Sequence, residues 1–426
     1  MKKLVETLNE TFNNSFEVDD ISKVEIDSRN IKEGDLFLAI NNGKNYIAEV
    51  LEKKASFVIC DDPKWSGNKK VLVVEDTVKA MQLLAKNYRK KLKIKIVGIT
   101  GSEGKTTTKD IIHGVLSSKY QTKKTLGNHN NHIGLPLTIL NLQEDDEFGI
   151  IEMGMSNKGE IPVLCDIAGI DYGVITNIGD SHLEFMINRD NVFAEKSQIK
   201  NYIDSDKLFL FGDDIYLKNL KGNKIGFNLE NDFIIRNYKE TPNGVDFILN
   251  NQNYSFKLNG KHNCINASMG VAIGLSLGLT SSEIQKGLDL VNVTPMRFQK
   301  IEKEDIIYIN DAYNASPISM EYSLNTFDKL YNNMKKIVVL GDMLELGEKE
   351  IEFHREIIEK ALSIKCDKIY LYGERMKKAY DLLVKNDKIR CFNNKEDIVK
   401  LIANETEKVA VLLKGSRGMK LEEIIK

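Results

Sequence analysis

The sequence predicts an α/β protein of three successive domains: a small α/β unit at 1–92, a central unit at 93–296 and a third at 297–426. Three observations carry this. Short, nearly continuous apolar runs recur along the chain, among them "IKIVGIT", "FGIIEMG", "YGVITNIG", "KIVVLGDM" and "KVAVLLKG", the mark of parallel strands covered on both faces. Segments of helical periodicity separate them, as in doubly wound sheets. The 426 residues suffice for two to four domains with sizeable cores.

In chain order, "GDLFLAI" and "SFVICDD" read as strands of the first unit, followed by a helix at "TVKAMQLLAKNYRKKLK" whose basic end suits a helix C-terminus. In the second, "IKIVGIT" feeds a glycine-rich loop, and "KDIIHGVLSSKY" places Ile111, Ile112, Val115 and Leu116 on one helical face. "FGIIEMG" and "YGVITNIG" continue a parallel sheet. "IIRNYKETPNGVDFILNNQNYSFKLNG" alternates in character and breaks at Pro-Asn-Gly, which predicts an antiparallel excursion, with a helix from about 263 to 278 after it. In the third, "KIVVLGDM", "KIYLYG" and "KVAVLLKG" alternate with helices, which predicts a Rossmann-like α/β domain. No GxGxxG follows any strand, so a nicotinamide cofactor is not supported.

Composition narrows the function. Hydrophobic and charged contents of 42% and 29% are those of an ordinary soluble protein. A net charge of −2 leaves no basic footprint for nucleic acid. Cys60, Cys165, Cys264, Cys366 and Cys391 are scattered without a CxxC, which argues against a zinc site or disulfide framework and suits a reducing compartment. "MKKLVETLNETF" has no apolar h-region, and the apolar run "ASMGVAIGLSLGL" is too short to span a bilayer. A cytoplasmic protein without membrane insertion is expected, and a monomer.

The stretch "GITGSEGKTTTKD" carries the most chemistry. It is shorter than the common P-loop pattern, yet strand, Gly-x-x-Gly-Lys-Thr and helix occur in the demanded order. Gly101 and Gly104 let backbone N–H groups of the loop (Gly101, Ser102, Glu103, Gly104) and helix start (Lys105, Thr106, Thr107) approach phosphates. Lys105 can reach the β- and γ-phosphates, and Thr106 can offer a hydroxyl to Mg²⁺. The central unit is thus expected to be a P-loop ATPase-like parallel sheet with the antiparallel excursion attached. "NKED" at 394–397 fits a guanine-reading motif, but it lies in another unit at a helix start, where Asn is a common cap.

Polar clusters follow the strands, where open α/β sheets bind ligands. Glu152 follows "FGII", and His182 and Glu184 follow "YGVITNIG"; carboxylate and imidazole there could hold Mg²⁺ beside phosphates. Singly, each is more often a structural polar group; around one phosphate loop they read as functional. "GNHNNHIGLPLTIL" supplies the amides of Asn128, Asn130 and Asn131 to read a polar substrate, or else to satisfy a turn network.

Together "TGSEGKTTT", "GNHNNHIGLP", "IIEMGMSNKGEI", "NIGDSHLE", "GKHNCINA" and "NDAYNASPISM" resemble the Mur ligases, ATP-dependent amide-bond-forming enzymes of peptidoglycan synthesis. The likeness runs over essentially the whole chain. "DAYNASPISM", "VVLGDMLELG" and "LLKGSRGMKLEEII" resemble the branch that adds D-alanyl-D-alanine to UDP-N-acetylmuramoyl-tripeptide. The resemblance implies that Lys105 and Thr106 hold ATP and a first Mg²⁺, and that Glu152 and His182 serve Mg²⁺. It further implies that Lys196, in "FAEKSQI", is carbamylated and helps set a second metal. Its residues alone would be read as a solvated charge on a helix. Asn263, Asn266, Arg297 and Asp311 are implied at the nucleotide. Tyr313, Asn314, Ser316, Lys414, Ser416 and Arg417 are implied at the dipeptide, and Asp27, Ser28 and Arg29 at the UDP end. The chain departs from the family pattern at Lys44, where a histidine is expected, at Gln198, and in "ASP" where "ANP" is usual.

The implied chemistry turns a carboxylate into an acyl phosphate that an amine then attacks. His354 or Asp311 is the candidate to take the amine's proton. Rival readings are a paralogue with another amine or carboxylate, a folyl-polyglutamate type enzyme, or a nucleotide-dependent switch.

Overall fold

In the computed structural model, which describes residues 1–241 and 243–425, the apolar runs become strands of four sheets. The first holds β1 (Val24–Glu25), β2 (Leu36–Leu38), β3 (Phe57–Cys60) and β4 (Val71–Val73), parallel and in that order. The helix Thr77–Lys91 follows, its start capped by the Asp76 carboxylate and its last turn basic at Arg89, Lys90 and Lys91. That helix docks on the next unit: Tyr88 Oη donates to Leu142 O at 2.9 Å and Arg89 Nε to Ala168 O at 2.8 Å. One apolar cluster therefore runs from Leu4 and Leu84 to Leu135, Ile151 and Leu164, so the core is continuous across residue 92.

The second sheet is parallel throughout and contains β5 (Lys95–Thr100), β6 (Thr122–Lys124), β7 (Phe148–Glu152), β8 (Tyr172–Ile175), β9 (Leu208–Phe211), β10 (Asn223–Gly226) and β11 (Phe233–Ile234). Its order is β11-β10-β9-β8-β5-β7-β6. On one side of β5 the chain goes out to the edge at β6 and returns to β7, and on the other it runs outward from β8 to β11, so the crevice at the carboxyl end of β5 is a topological switch point, where such sheets take ligands. The helix Lys105–Ser117 was expected to bury one face; it also buries Thr106, Thr107, Thr108, Lys109 and Asp110, because it is sandwiched between the sheet and the helix Lys261–Ser276.

The antiparallel excursion is a meander of β12 (Arg236–Thr241), β13 (Gly244–Leu249) and β14 (Gln252–Phe256). It begins two residues later than the sequence run suggests, because Phe233–Ile234 still pair in parallel with β10. Pro242, at the expected break, lies outside the described residues.

The last sheet holds β15 (Gln299–Lys303), β16 (Ile306–Asn310), β17 (Lys335–Gly341), β18 (Lys368–Tyr372), β19 (Ile389–Phe392) and β20 (Val409–Lys414), in the order β15-β16-β20-β17-β18-β19. The three expected strands are β17, β20 and β18. The chain adds an antiparallel hairpin of β15 on β16 at one edge and β19 at the other, giving a mixed rather than purely parallel sheet. Lys426 lies outside the described residues. Among those residues no helix is long and apolar enough to cross a membrane.

Candidate active site

The glycine-rich loop leaves β5 at Gly101 and enters a helix at Lys105. Gly101 has φ +145°, and a Cβ there would sit 1.8 Å from Thr176 Oγ1; Gly104 has φ +77°, and a Cβ would sit 2.8 Å from Asn266 Oδ1. Both positions require glycine. The end of β8 clamps the loop. Ser102 N donates to Asn177 O at 3.0 Å, Glu103 N to Asn177 Oδ1 at 2.9 Å, and Asn177 Nδ2 returns a bond to Glu103 O at 3.1 Å. The amides of Ser102 and Glu103, expected at the phosphates, are thus committed to Asn177. The helix start at Gly104 has no side-chain cap, which leaves its first N–H groups and dipole to an anion. Lys105 is folded back, Nζ donating to Gly101 O at 2.7 Å and Ser102 O at 2.8 Å. Its burial holds the ammonium below the ordinary lysine range.

Glu152 ends β7 in the same crevice. Oε1 accepts from Asn130 Nδ2 at 2.9 Å, while Oε2 is buried without a hydrogen-bond partner. Lys109 Nζ stands 3.8 Å away, and 3.7 Å from Asp110. A buried carboxylate oxygen is costly to leave unpaired, so a cation from the cleft is the natural complement. Lys196 ends the helix Arg189–Lys196 and is fully buried, its Nζ unpartnered. Burial, and then the nearby Lys105, push its amine well below the ordinary lysine range.

The facing wall comes from the last sheet. His182 Nδ1 lies 2.6 Å from Glu345 Oε2, and Glu184 N donates to Glu345 O at 3.2 Å. His182 lowers the Glu345 carboxyl below its usual range. Both residues hold left-handed backbones, φ +55° and +63°. Arg297 Nη2 donates to Thr106 Oγ1 at 3.2 Å, with its guanidinium 4.1 Å from the centre of the Tyr313 ring. Lys105, Thr106, Asn128, Asn130, Asn131, Glu152, His182, Arg297, Tyr313, Asn314 and Glu345 all line one cleft of about 1260 Å³. Beside it, a smaller and tighter pocket is lined by Glu103, Gly104, Thr107, Asn263, Asn266 and Asp311. There the His262 and Tyr322 rings stack at 5.4 Å and 6°, and burial pushes the His262 imidazole down to about 4.

Family models of the Mur ligase middle domain and of the Mur ligase glutamate ligase domain match residues 99–274 and 296–417. A relative from Bacillus subtilis, a UDP-N-acetylmuramoyl-tripeptide--D-alanyl-D-alanine ligase, is 36% identical over 100% of this chain and 97% of its own. The chain belongs to the Mur ligase family. A Rickettsia prowazekii relative with the same name is 30% identical over 95% of this Mur ligase and 94% of its own chain. Among solved structures, MurF from Acinetobacter baumannii aligns with a TM-score of 0.88 at 26% identity, covering 99% of this chain and 97% of that one. The Thermotoga maritima MurF ligase in complex with ADP gives 0.82 at 28% identity, covering 95% and 96%.

Several expected residues of this Mur ligase turn out to be structurally committed. His354 is fully buried, its Nε2 accepting from Met343 N at 2.8 Å and its Nδ1 bonded to Glu350 O at 2.6 Å, so it cannot serve as the proton acceptor. Asp311 is equally spent: it accepts from Phe298 N and Ser323 Oγ, with Lys414 Nζ at 3.0 Å. Asn131 caps the helix Gly134–Leu140 through Gly134 N, Ser316 caps Pro317–Leu330, and Ser416 Oγ accepts from Leu344 N. Lys414 is buried and donates to Asn314 O at 2.7 Å. Arg417 stays exposed in an ion pair with Glu422. Asn394 of "NKED" is a helix cap. Ser28 and Arg29 lie apart from the phosphate cleft, in a separate one of about 1030 Å³ with Asn41, Asn42, Gly43 and Tyr46. There Arg29 pulls the Asp27 carboxyl down to about 2. Among the described residues no three His, Cys, Asp or Glu side chains are gathered as a metal site; of the expected set, Thr106, Glu152 and His182 share the cleft, and Lys196 is not part of its lining. Sequence reasoning missed Asn177, Lys109, Glu345, His262 and Tyr322. A histidine and a glutamate inside the quoted "GKHNCINA" and "VVLGDMLELG" were the available signals.

Proposed function

We propose that this Mur ligase joins D-alanyl-D-alanine to UDP-N-acetylmuramoyl-tripeptide with ATP as the energy source. The observation that carries the reading is one cleft, between two sheets, that unites an uncapped helix start, the loop lysine Lys105 and a buried carboxylate, Glu152, with one oxygen free of hydrogen bonds. Full-length likeness to relatives bearing that activity in their names supports the choice of substrates. A neighbour solved with ADP supports the use of ATP, and the uncapped helix start makes the loop the place for it.

A carboxylate is a poor acyl donor because oxide would have to leave. Transfer of the γ-phosphoryl group to a carboxylate oxygen gives an acyl phosphate and ADP. The neutral amine then attacks the carbonyl carbon, the resulting tetrahedral species expels inorganic phosphate, and the nitrogen loses a proton. In this chain the Gly104–Thr107 amides and Lys105 orient and neutralise the phosphates, and Arg297 bridges to them from the facing wall. Glu152, with Thr106 and His182, fits a divalent cation, which would offset repulsion between carboxylate and phosphate oxygens. Nucleotide-linked substrates of this kind suit a cytoplasmic enzyme.

Lys196 is proposed to be carbamylated. Its amine is buried, unpartnered and biased to the neutral form that adds carbon dioxide. Protein equilibrated with ¹³C-bicarbonate should show a carbamate carbon signal that Lys196→Ala lacks; identical spectra would rule the modification out. For the reaction itself, mass spectrometry of products from ATP, Mg²⁺, the dipeptide and the two common tripeptide nucleotides should show the amide adduct with ADP and phosphate. ATP turnover indifferent to both acceptors would favour a switch instead.

A further inference from the structure

Asp110 lies one helical turn beyond Thr106 on the helix that the phosphate loop enters, and it is almost wholly buried. Its Oδ2 accepts from both Thr294 N, at 2.9 Å, and Thr294 Oγ1, at 2.7 Å, while Oδ1 accepts from Lys124 Nζ at 2.6 Å. Thr294 belongs to the segment joining the central unit to the last sheet. Three residues on, Arg297 reaches back to Thr106 on the same helix. Positions four apart on a helix share a face, so the joining segment is fastened to the phosphate helix at two stacked points.

Between those points the chain has little freedom. Pro295 fixes its own φ and restricts Thr294 to extended conformations. Met296 and Phe298, which flank Arg297, hold left-handed backbones at φ +63° and +51°, conformations kept only where surroundings impose them. From Met296 onward the chain is bonded to the last unit: Tyr313 N donates to Met296 O at 3.3 Å and Phe298 N to Asp311 Oδ1 at 3.0 Å. On the far side, Thr294, Pro295 and Arg297 border an open cleft of about 1290 Å³. Packing from behind therefore does little to place the segment.

We infer that Asp110 is a positioning residue: by gripping Thr294 it sets where Arg297 meets Thr106 and the nucleotide phosphates. The inference rests on the reading of ATP at the loop. Calorimetric titration of the full chain with ADP and Mg²⁺ tests it without relying on turnover. Thr294→Val, which keeps shape and the backbone bond but loses the hydroxyl, should weaken ADP about fivefold, the scale of one hydrogen bond. Thr294→Ser, which keeps both donors, should bind as the parent does. Arg297→Ala should weaken ADP at least as much, and adding Thr294→Val to it should change nothing further, since coupled residues are non-additive. Asp110→Asn should weaken ADP more, and the threonine variants keep the test intact if that protein does not fold. Parent-like binding by Thr294→Val, or full additivity with Arg297→Ala, overturns the positioning role alone. A parent protein that binds no ADP overturns the nucleotide reading, and this role with it.

Discussion

Lys105→Ala should lower phosphate release in the presence of both acceptors by about a thousandfold or more, the scale on which phosphate-clamping cations act. Two effects combine. The variant loses the only lysine whose Nζ lies on the loop itself, among the described residues, and it strips donors from the Gly101 and Ser102 carbonyls. Steady-state kinetics with varied ATP would separate them, since a loss confined to the transition state lowers kcat and kcat/KM together. The unfolding midpoint of the variant guards against a trivial loss of fold. Amide synthesis at the parent rate would remove the phosphate loop from the mechanism.

Glu152→Gln should cost about a hundredfold in kcat and raise the Mg²⁺ concentration needed for half-maximal rate. The substitution is isosteric, and its amide oxygen can still accept from Asn130. What disappears is the charge on Oε2, the oxygen left without a partner in a buried setting. Lys109 then keeps only Asp110, at 3.7 Å, which Lys124 also holds, so a buried cation is left short of counter-charge and some stability should be lost as well. An unchanged Mg²⁺ activation curve in the variant would deny Glu152 a part in holding the cation.

Legibility from sequence followed the range of the interaction. The turn from β5 into its helix was plain because its determinants lie within a dozen residues: two glycines, a lysine and a threonine between an apolar run and a helix. Glu152 and His182 were visible because strand ends announce themselves. The Asn177 clamp and the Asp110–Thr294 grip were not, since each joins residues more than seventy positions apart and neither side carries a local pattern. Lys196 defeated local reading for another reason. A lysine at the end of a short helix normally points to water, and only the packing around it shows otherwise. The missed hairpin strand β15, "QKIEK", is an edge strand with four of its five residues exposed, so it lacks the apolar run that betrayed β17 and β20.

The clamp laid on the loop by Asn177 has a consequence for how ATP arrives. Because the neighbouring strand dictates the cradle's outline, that outline should persist when nothing occupies it. Uptake of a nucleotide then demands little ordering of backbone. The swing of a single ammonium, from its own loop's carbonyls to the incoming phosphates, becomes the main local rearrangement.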